Sequence, residues 1–186
     1  MSISERIRSH TSITSKSKRN LFDEIFTSCL LLERLHLYSN HIRKLEHLDA
    51  NLALRELHLQ DNQIKRVENL SRLVNLQVLA LSGNPLDSLD SLAEVSQLPS
   101  LRQLNFRCEH FGGCPVTDVA GYRSYVLSTI NQMARATFAR LDTEWVSQEE
   151  FQGATNEFME QILRLQEVLE DVERENRHQL QWVAAR

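Results

Sequence analysis

Aliphatic side chains that return every 22 residues constrain this chain more than any other feature of its sequence. Three successive segments carry seven equivalent positions. They are Leu32, Leu35, Leu37, Asn40, Ile42, Leu45 and Leu48, then Leu54, Leu57, Leu59, Asn62, Ile64, Val67 and Leu70, then Leu76, Leu79, Leu81, Asn84, Leu86, Leu89 and Leu92. A fourth copy begins three residues late, with Leu101, Leu104 and Phe106. This pattern predicts a solenoid, because one unit cannot bury its own apolar face and must stack on its neighbours.

Each repeated position has a physical role in such a coil. The Leu-x-Leu pairs are expected to form short strands with both leucines pointing inward. Asn40, Asn62 and Asn84 follow at the turn, where a side-chain amide can pair with backbone groups that would otherwise lack partners. The later apolar positions close the coil from its convex side. The sequence therefore predicts an α/β solenoid of about four coils, with parallel strands on the concave face.

The repeats resemble those of the SDS22-like leucine-rich-repeat family, over roughly Leu32 to Asp142. Members of that family include a regulatory subunit of phosphatase-1, a spliceosomal A-prime protein and many centrosomal and axonemal proteins. The resemblance implies the fold strongly, and it implies that partners often engage the concave face. It specifies function weakly, because one fold serves many functions.

Both ends of a solenoid need caps over their apolar faces. Residues 21–31 place apolar side chains at helical spacing and predict an N-terminal cap or a degenerate repeat. Residues 1–20 are polar and basic, which predicts a disordered leader, with a phosphorylatable or anion-binding arm as the alternative. The repeats occupy residues 32–113.

Residues 114–146 resemble the capping motif that closes SDS22-like arrays. The matching positions are Cys114, Pro115, Val116, Tyr122, Arg123, Leu141 and Asp142. Cys114 stands where the family usually has Asn, and the segment from Ile130 to Arg140 is longer than the family's linking segment. Glu109 stands where the fourth repeat should have its Asn, and Glu109 to Gly113 has the character of an insertion. An irregular fourth coil is expected.

The tail, residues 147–186, has the pattern of a helix. Its apolar residues alternate four and three apart, as in a coiled-coil seam, at Phe158, Ile162, Leu165, Leu169 and Val172, with Asn176 next in register. Two readings remain open at this point. The helix either folds back onto the solenoid or pairs through residues 155–183 with a partner helix or a second copy.

Three columns of side chains are predicted on the concave face, because residues flanking an inward leucine point to the opposite side of the strand. The first column is Arg34, Glu56, Val78 and Gln103, the second is His36, His58, Ala80 and Asn105, and the third is Tyr38, Gln60, Ser82 and Arg107. Tyr and Arg are favoured anchors in protein interfaces, so this face is the candidate protein-binding site. A solvated sheet surface with no partner is the alternative.

No metal, cofactor or catalytic centre is predicted. His36 and His58 are expected roughly 4.8 Å apart on adjacent strands. Zinc usually takes three protein ligands even in catalytic sites, and neighbouring Arg34 and Ala80 offer none, so solvated histidines are expected. Cys108, His110 and Cys114 lack both a fourth ligand and zinc-finger spacing, which favours inert thiols. No phosphate-binding loop or nucleophile motif occurs.

Charge and composition narrow the functional classes. Acidic residues outnumber basic ones by 25 to 21, so direct nucleic-acid binding is not expected. No apolar run approaches the roughly 20 residues of a membrane span. The three cysteines and the polar N-terminus favour a cytoplasmic location.

The leading functional hypothesis is a non-catalytic scaffold or adaptor. The resemblance implies an address in a cytoskeletal assembly, namely a centrosome, cilium or axoneme. One alternative is a regulatory subunit of a protein phosphatase. Another is a ribonucleoprotein component that acts through a protein partner.

Overall fold

The computed structural model describes residues 30–130 and 132–184. The predicted leader over 1–20 lies outside these ranges, as does the predicted N-terminal cap except for its last two residues. Among the described residues, no helix combines the length and apolarity needed to span a bilayer.

A six-stranded sheet forms the concave side of the solenoid. The repeats contribute four parallel strands, which are β1 (Arg34–His36), β2 (Glu56–His58), β3 (Val78–Ala80) and β4 (Gln103–Asn105). Two strands from the region after the fourth repeat extend the sheet at one edge. These are β7 (Arg140–Leu141), parallel to β4, and β8 (Glu144–Trp145), antiparallel to β7.

The remaining elements connect and close the coils. A separate antiparallel hairpin consists of β5 (Arg107–Cys108) and β6 (Gly112–Gly113). Two 3-10 helices span Leu89–Gln97 and Pro115–Asp118. Helix α1 spans Tyr122–Thr129, and the tail forms the 37-residue helix α2 (Gln148–Ala184).

The repeated leucines form one continuous core. Five of them stand side by side in the register of the parallel strands, each at most 2% exposed, namely Leu35, Leu57, Leu79, Leu104 and Leu141. The other repeat positions pack around this column, and the cap adds Tyr122, Val126 and Phe138 to the same cluster. The predicted leucine-rich-repeat solenoid is confirmed, including the parallel sheet and the C-terminal helix.

The turn asparagines join each coil to the one before it. The Asn84 amide donates to the carbonyl oxygens of Leu59 and Leu81, at 2.9 and 2.7 Å, and its oxygen accepts from the backbone N–H of Ile64 at 3.0 Å. Asn62 makes the equivalent bonds one coil earlier. Each buried amide thus satisfies backbone groups of two coils, which would be costly to leave unpaired.

Cys114 takes the place of the asparagine in the fourth coil. Its thiol donates to the carbonyl of Leu81 at 3.2 Å, as the Asn84 amide donates to Leu59 one coil earlier. Burial raises the pKa of Cys114 to about 11, so the sulfur stays a neutral thiol. Glu109 is exposed, and residues 109–113 belong to the β5–β6 hairpin, which makes the fourth coil irregular.

Asp142 connects the cap to the last repeat. One of its carboxylate oxygens accepts from the backbone N–H groups of Phe106 and Arg107, at 2.7 and 2.9 Å. The hydroxyl of Tyr122 donates to the other oxygen at 3.1 Å. Burial raises the pKa of the Asp142 carboxyl, while these hydrogen bonds oppose the shift. The carboxylate therefore satisfies backbone N–H groups of the last repeat, where no asparagine of a following coil is present to accept from them.

Arg123 holds the end of the solenoid against the tail. Its guanidinium contacts Glu144 on β8 at 3.0 Å and forms a two-pronged hydrogen bond with Glu150 on α2. The hydrogen bond to Arg123 lowers the pKa of Glu150. Next to this contact, Phe151 and Ala154 of α2 are buried, and the Phe151 ring packs edge-on to Phe138 at 5.8 Å. The first turns of α2 are therefore part of the cap.

A first prediction concerns the central leucine column. Leu57→Ala should lower the free energy of unfolding by about 2 to 5 kcal/mol, because it opens a cavity in a fully buried core. Leu31→Ala makes the same chemical change at a side chain that is 88% exposed, and it should cost less than about 0.5 kcal/mol. His36→Ala, at an exposed position, should also change stability little. Urea denaturation of the three variants measures the difference, and equal losses would contradict the inward placement of Leu57.

Candidate protein-binding face

The parallel register aligns the first two predicted columns on the concave face. Arg34, Glu56, Val78 and Gln103 pair across successive strands, and so do His36, His58, Ala80 and Asn105. The first column continues one strand further than the sequence predicted, because Arg140 on β7 pairs with Gln103. The concave face therefore spans five parallel strands.

Two predicted face residues are buried, which corrects their assignment to the exposed surface. Ser82 is 0% exposed and Ala80 is 1% exposed. Ala80 carries only a methyl group between the longer side chains of His58 and Asn105, with which it pairs. Ser82 lies next to Gly83, where the β5–β6 hairpin folds against the third coil. Neither residue is available to a partner.

Gly83 accommodates this hairpin. A Cβ atom at Gly83 would lie 2.7 Å from the carbonyl oxygen of Phe111, which is closer than real contacts allow. The backbone at Gly83 has φ of +72°, and the equivalent Ser39 and Asp61 both have φ of +54°. The turn therefore takes the left-handed conformation in each of the first three coils. The absence of a side chain matters at Gly83 alone, where the hairpin presses on it.

Phe111 reaches from the fourth coil to the first. Its ring lies 6.1 Å from the ring of Tyr38, which in turn meets His36 edge-on at 6.4 Å. The hairpin thus forms an aromatic wall along one side of the concave face. Sequence reasoning identified the insertion but assigned it no position. The signal in the sequence for this hairpin was an aromatic residue immediately before two glycines, Gly112 and Gly113.

Arg107 is held at the base of the hairpin. Its guanidinium donates to the hydroxyl of Thr117 at 2.7 Å and forms an ion pair with Asp118. The side chain remains half exposed. Nearby, the amides of Gln103 and Asn105 hydrogen-bond to each other. These residues present fixed polar groups at the centre of the face.

Trp145 marks the far edge of the face, and sequence reasoning missed it. Its ring is 70% exposed and lies under the guanidinium of Arg140, whose Cζ is 4.2 Å from the ring centroid. Arg140 and Trp145 pair across β7 and β8, so their side chains share one face of the sheet. Residues 114–146, which the sequence predicts as the cap, also contain the last two strands of the sheet. The Trp at the end of β8 was the signal in the sequence that this segment extends the face.

A cluster of three ionisable side chains lies at the other end of the face. The rings of His36 and His58 stack in parallel, with centroids 4.4 Å apart and planes 7° apart. Glu56 lies 3.6 Å from Nε2 of His58. Burial and the nearby His36 lower the pKa of His58, and Glu56 opposes that shift. His58 is therefore held in the neutral form at pH 7.

These three residues have the composition of a metal site, whereas the cysteine cluster does not come together. Candidate ligand atoms of His36, Glu56 and His58 all lie within 4.8 Å of one another. Within residues 30–130 and 132–184, Cys108, His110 and Cys114 form no such group. The sequence analysis considered only Arg34 and Ala80 as neighbours that could add a metal ligand. Glu56 lies in the first column, on the same strand as His58 and diagonally across from His36, and its carboxylate is the third candidate ligand.

A second prediction follows from the contact between Gly83 and Phe111. Gly83→Ser should displace the hairpin, because the new Cβ would lie 2.7 Å from the Phe111 carbonyl oxygen, in addition to the strain of a side chain at φ of +72°. Hydrogen exchange of the amides in β5 and β6 should accelerate, with little change in the rest of the sheet. Asp61→Ser is the control, since it keeps a side chain at the same turn one coil earlier. Unchanged exchange in the hairpin would show that Phe111 does not rest on Gly83.

A family model and a solved structure agree with this architecture. Residues 52–94 match the family model "Leucine Rich repeats (2 copies)". A chain of the Drosophila melanogaster SNF/U2A' complex is 25% identical, over 69% of this chain and 70% of that chain, with a TM-score of 0.59. Internalin C2 from Listeria monocytogenes is 24% identical over 59% of this chain and 40% of that chain, with a TM-score of 0.43. No curated protein sequence matches. By its repeats and its fold, the chain is a leucine-rich-repeat solenoid.

Proposed function

We propose that this chain is a non-catalytic scaffold that docks one protein on its concave face and joins a second chain through its tail helix. Leucine-rich-repeat proteins mediate protein-protein interaction, and no catalytic family is indicated. The observation that carries the proposal is the exposed Trp145 at the edge of an otherwise polar concave sheet. Trp is enriched among the residues that contribute most to binding in protein interfaces.

The concave face has the size and shape for one structural element of a partner. Five parallel strands at their usual spacing measure roughly 20 Å across. A single helix, about 10 to 12 Å in diameter, fits such a trough. Tyr38 and Phe111 line one side of the concave face and Trp145 lies at its far edge, with polar side chains between them. Aromatic anchors around hydrogen-bonding groups are typical of protein interfaces.

The third prediction tests this face. Arg34→Ala combined with Trp145→Ala should abolish recovery of the partner in proximity labelling, since loss of interface anchors costs about 2 kcal/mol or more each. Both side chains are exposed, so the melting temperature should change little. Val74→Ala, at an exposed apolar position in the turn before β3, is the matched control. An unchanged set of labelled proteins in the double variant would rule out docking on this face.

The tail helix offers a second surface. Leu165, Leu169 and Val172 are 65%, 59% and 49% exposed, although they occupy alternating positions of one seam. Earlier on the same seam, Phe158 and Ile162 are half buried. The first turns of the helix therefore pack on the cap, as the fold-back reading expects. The following turns project into solvent, and their pairing with another helix is part of this proposal.

Charge supports the projecting part as an independent helix. Three exposed ion pairs at helical spacing join Glu160 to Arg164, Asp171 to Arg174 and Glu173 to Arg177. Such pairs contribute a few tenths of a kcal/mol each to a solvated helix. They do not cover the apolar seam, which a facing helix would bury in the manner of a coiled coil.

The fourth prediction separates the two parts of the tail. Leu165→Ser with Leu169→Ser should leave the melting temperature unchanged and remove association through the tail. Phe151→Ala should instead lower the free energy of unfolding by about 3 to 5 kcal/mol, because this ring is buried in the cap. Sedimentation equilibrium of the unmodified chain distinguishes a second copy from a different partner.

A deletion that tests the tail should begin after Gln161. Removing everything after Val146 would strip Phe151 and Ala154 from the cap and confuse lost binding with lost stability. If tail-dependent neighbours in proximity labelling and the sedimenting mass both survive the serine variant, the seam is not an interaction surface.

The cytoskeletal address belongs to this proposal and rests on the family resemblance alone. Localisation of the tagged chain to centrosomes, basal bodies or axonemes is the expected result. An even distribution through the cytosol would contradict it. The phosphatase alternative stays a prediction, to be tested by copurification of the phosphatase-1 catalytic subunit.

A ribonucleoprotein component that acts through a protein partner is the second candidate. The similarity to a chain of the SNF/U2A' complex favours it, as does the resemblance to a family that includes a spliceosomal A-prime protein. The acidic balance of this chain is compatible with such a role when contact with RNA is indirect. Nuclear location and association that ribonuclease disrupts would support this candidate over the cytoskeletal one.

A further inference from the structure

The stacked histidines and Glu56 form a second functional feature of the concave face. We propose that His36, Glu56 and His58 bind a divalent transition metal ion, with Zn²⁺ the best match to their chemistry. Two imidazoles and one carboxylate are a common protein ligand set for zinc, with the fourth position left open. This proposal stands independently of whether the face binds a protein.

The three side chains need only small movements to share an ion. Their candidate ligand atoms lie within 4.8 Å of one another. Ligands around a tetrahedral zinc at its usual bond lengths are separated by about 3.4 Å. Rotation about side-chain bonds can close the difference, because His36 is exposed and Glu56 and His58 are only half buried. The backbone that carries them is a registered pair of parallel strands, so the site does not require the fold to move.

The parallel stacking places the two imidazoles side by side on one face of the sheet, with centroids 4.4 Å apart and planes 7° apart, so that one ion can reach a nitrogen of each ring. The Glu56 carboxylate lies 3.6 Å from Nε2 of His58, although Arg34 is its cross-strand neighbour. The carboxylate therefore faces the histidines.

Gln60 is placed to orient His58 from behind. Its Nε2 lies 3.5 Å from Nδ1 of His58, and its Oε1 is buried with no hydrogen-bond partner among the described residues. Rotating the amide by half a turn would bring Oε1 to Nδ1, where it could accept the ring proton. Nε2 of His58 would then be free to bind the ion. Metal-binding histidines usually donate their second ring proton in this way.

The ligand set selects among metals. Imidazole nitrogen suits zinc, copper, nickel and iron, whereas calcium and magnesium prefer sites made of oxygen alone. The open position would face the concave groove, beside Tyr38, where water or a partner side chain could complete the coordination. The opposing reading is a solvated histidine pair, and it predicts no saturable binding at these residues.

Calorimetric titration of the chelator-treated full chain with ZnCl₂ tests the proposal. One saturable site is expected, and His36→Ala, His58→Ala and Glu56→Gln should each weaken it by more than about 100-fold. Loss of a partner that merely orients a metal ligand already costs 10- to 100-fold. Gln60→Ala should therefore weaken zinc binding by about 10- to 100-fold. His41→Ala and His110→Ala, both at exposed histidines elsewhere, should leave the affinity unchanged.

Cobalt supplies a readout that depends on coordination. Co²⁺ in the proposed site should give the strong visible absorption of a four- or five-coordinate ion, and the three ligand variants should lose it. Circular dichroism confirms that each variant remains folded. Equal zinc affinity in the parent and the ligand variants would overturn the proposal. So would a cobalt spectrum that is only that of the hydrated ion.

Discussion

No coil of this protein can satisfy its own backbone or bury its own leucines, and each depends on the coil beside it. Leu57 and Leu79 stand in register on neighbouring strands, and the Asn84 amide binds carbonyls of both the second and the third coil. Apolar burial and hydrogen bonding therefore act at the same interface between coils. The stack is stable only where both continue, which explains why its ends need special side chains.

The fourth coil shows how this constraint survives an insertion. Five extra residues, Glu109 to Gly113, protrude from the stack of coils in the β5–β6 hairpin, and the chain returns to the stack at Cys114. A thiol is a weaker donor than an amide, but it reaches the same kind of carbonyl, that of Leu81. Asp142 then supplies the acceptor that ends the sheet. The stack requires a hydrogen-bond donor or acceptor at the turn of each coil. Asparagine, cysteine and aspartate side chains supply these groups in successive coils.

The sequence was sufficient for the fold because the repeat is a local pattern. Inward leucines, turn asparagines and the first two columns of the face all follow from a 22-residue spacing and strand alternation. Features that depend on a contact between distant segments could not be derived in this way. The close contact at Gly83 depends on a hairpin that begins 24 residues later, and nothing in the repeat indicates where that hairpin folds.

The same distinction applies to the candidate sites. Trp145 joins the face only because β8 turns back along β7, a pairing that lies outside the repeat. The seam predicted a helix in the tail, but it did not predict the point at which this helix leaves the cap. That point depends on Phe151 meeting Phe138 from the segment before β7. Glu56 is different, since its position was predicted and its diagonal approach to the histidines was overlooked.

A solenoid of this kind separates the residues that hold the fold from those that face outward. The leucines point into the core, so the flanking positions can change chemistry without changing the stack. His36 and His58 meet because two coils happen to carry the same residue at the same position, and the parallel register brings equivalent positions together. In a repeat protein, one residue type at one column therefore becomes a cluster. This is how a binding site can arise on a face whose backbone was determined entirely by the leucines behind it.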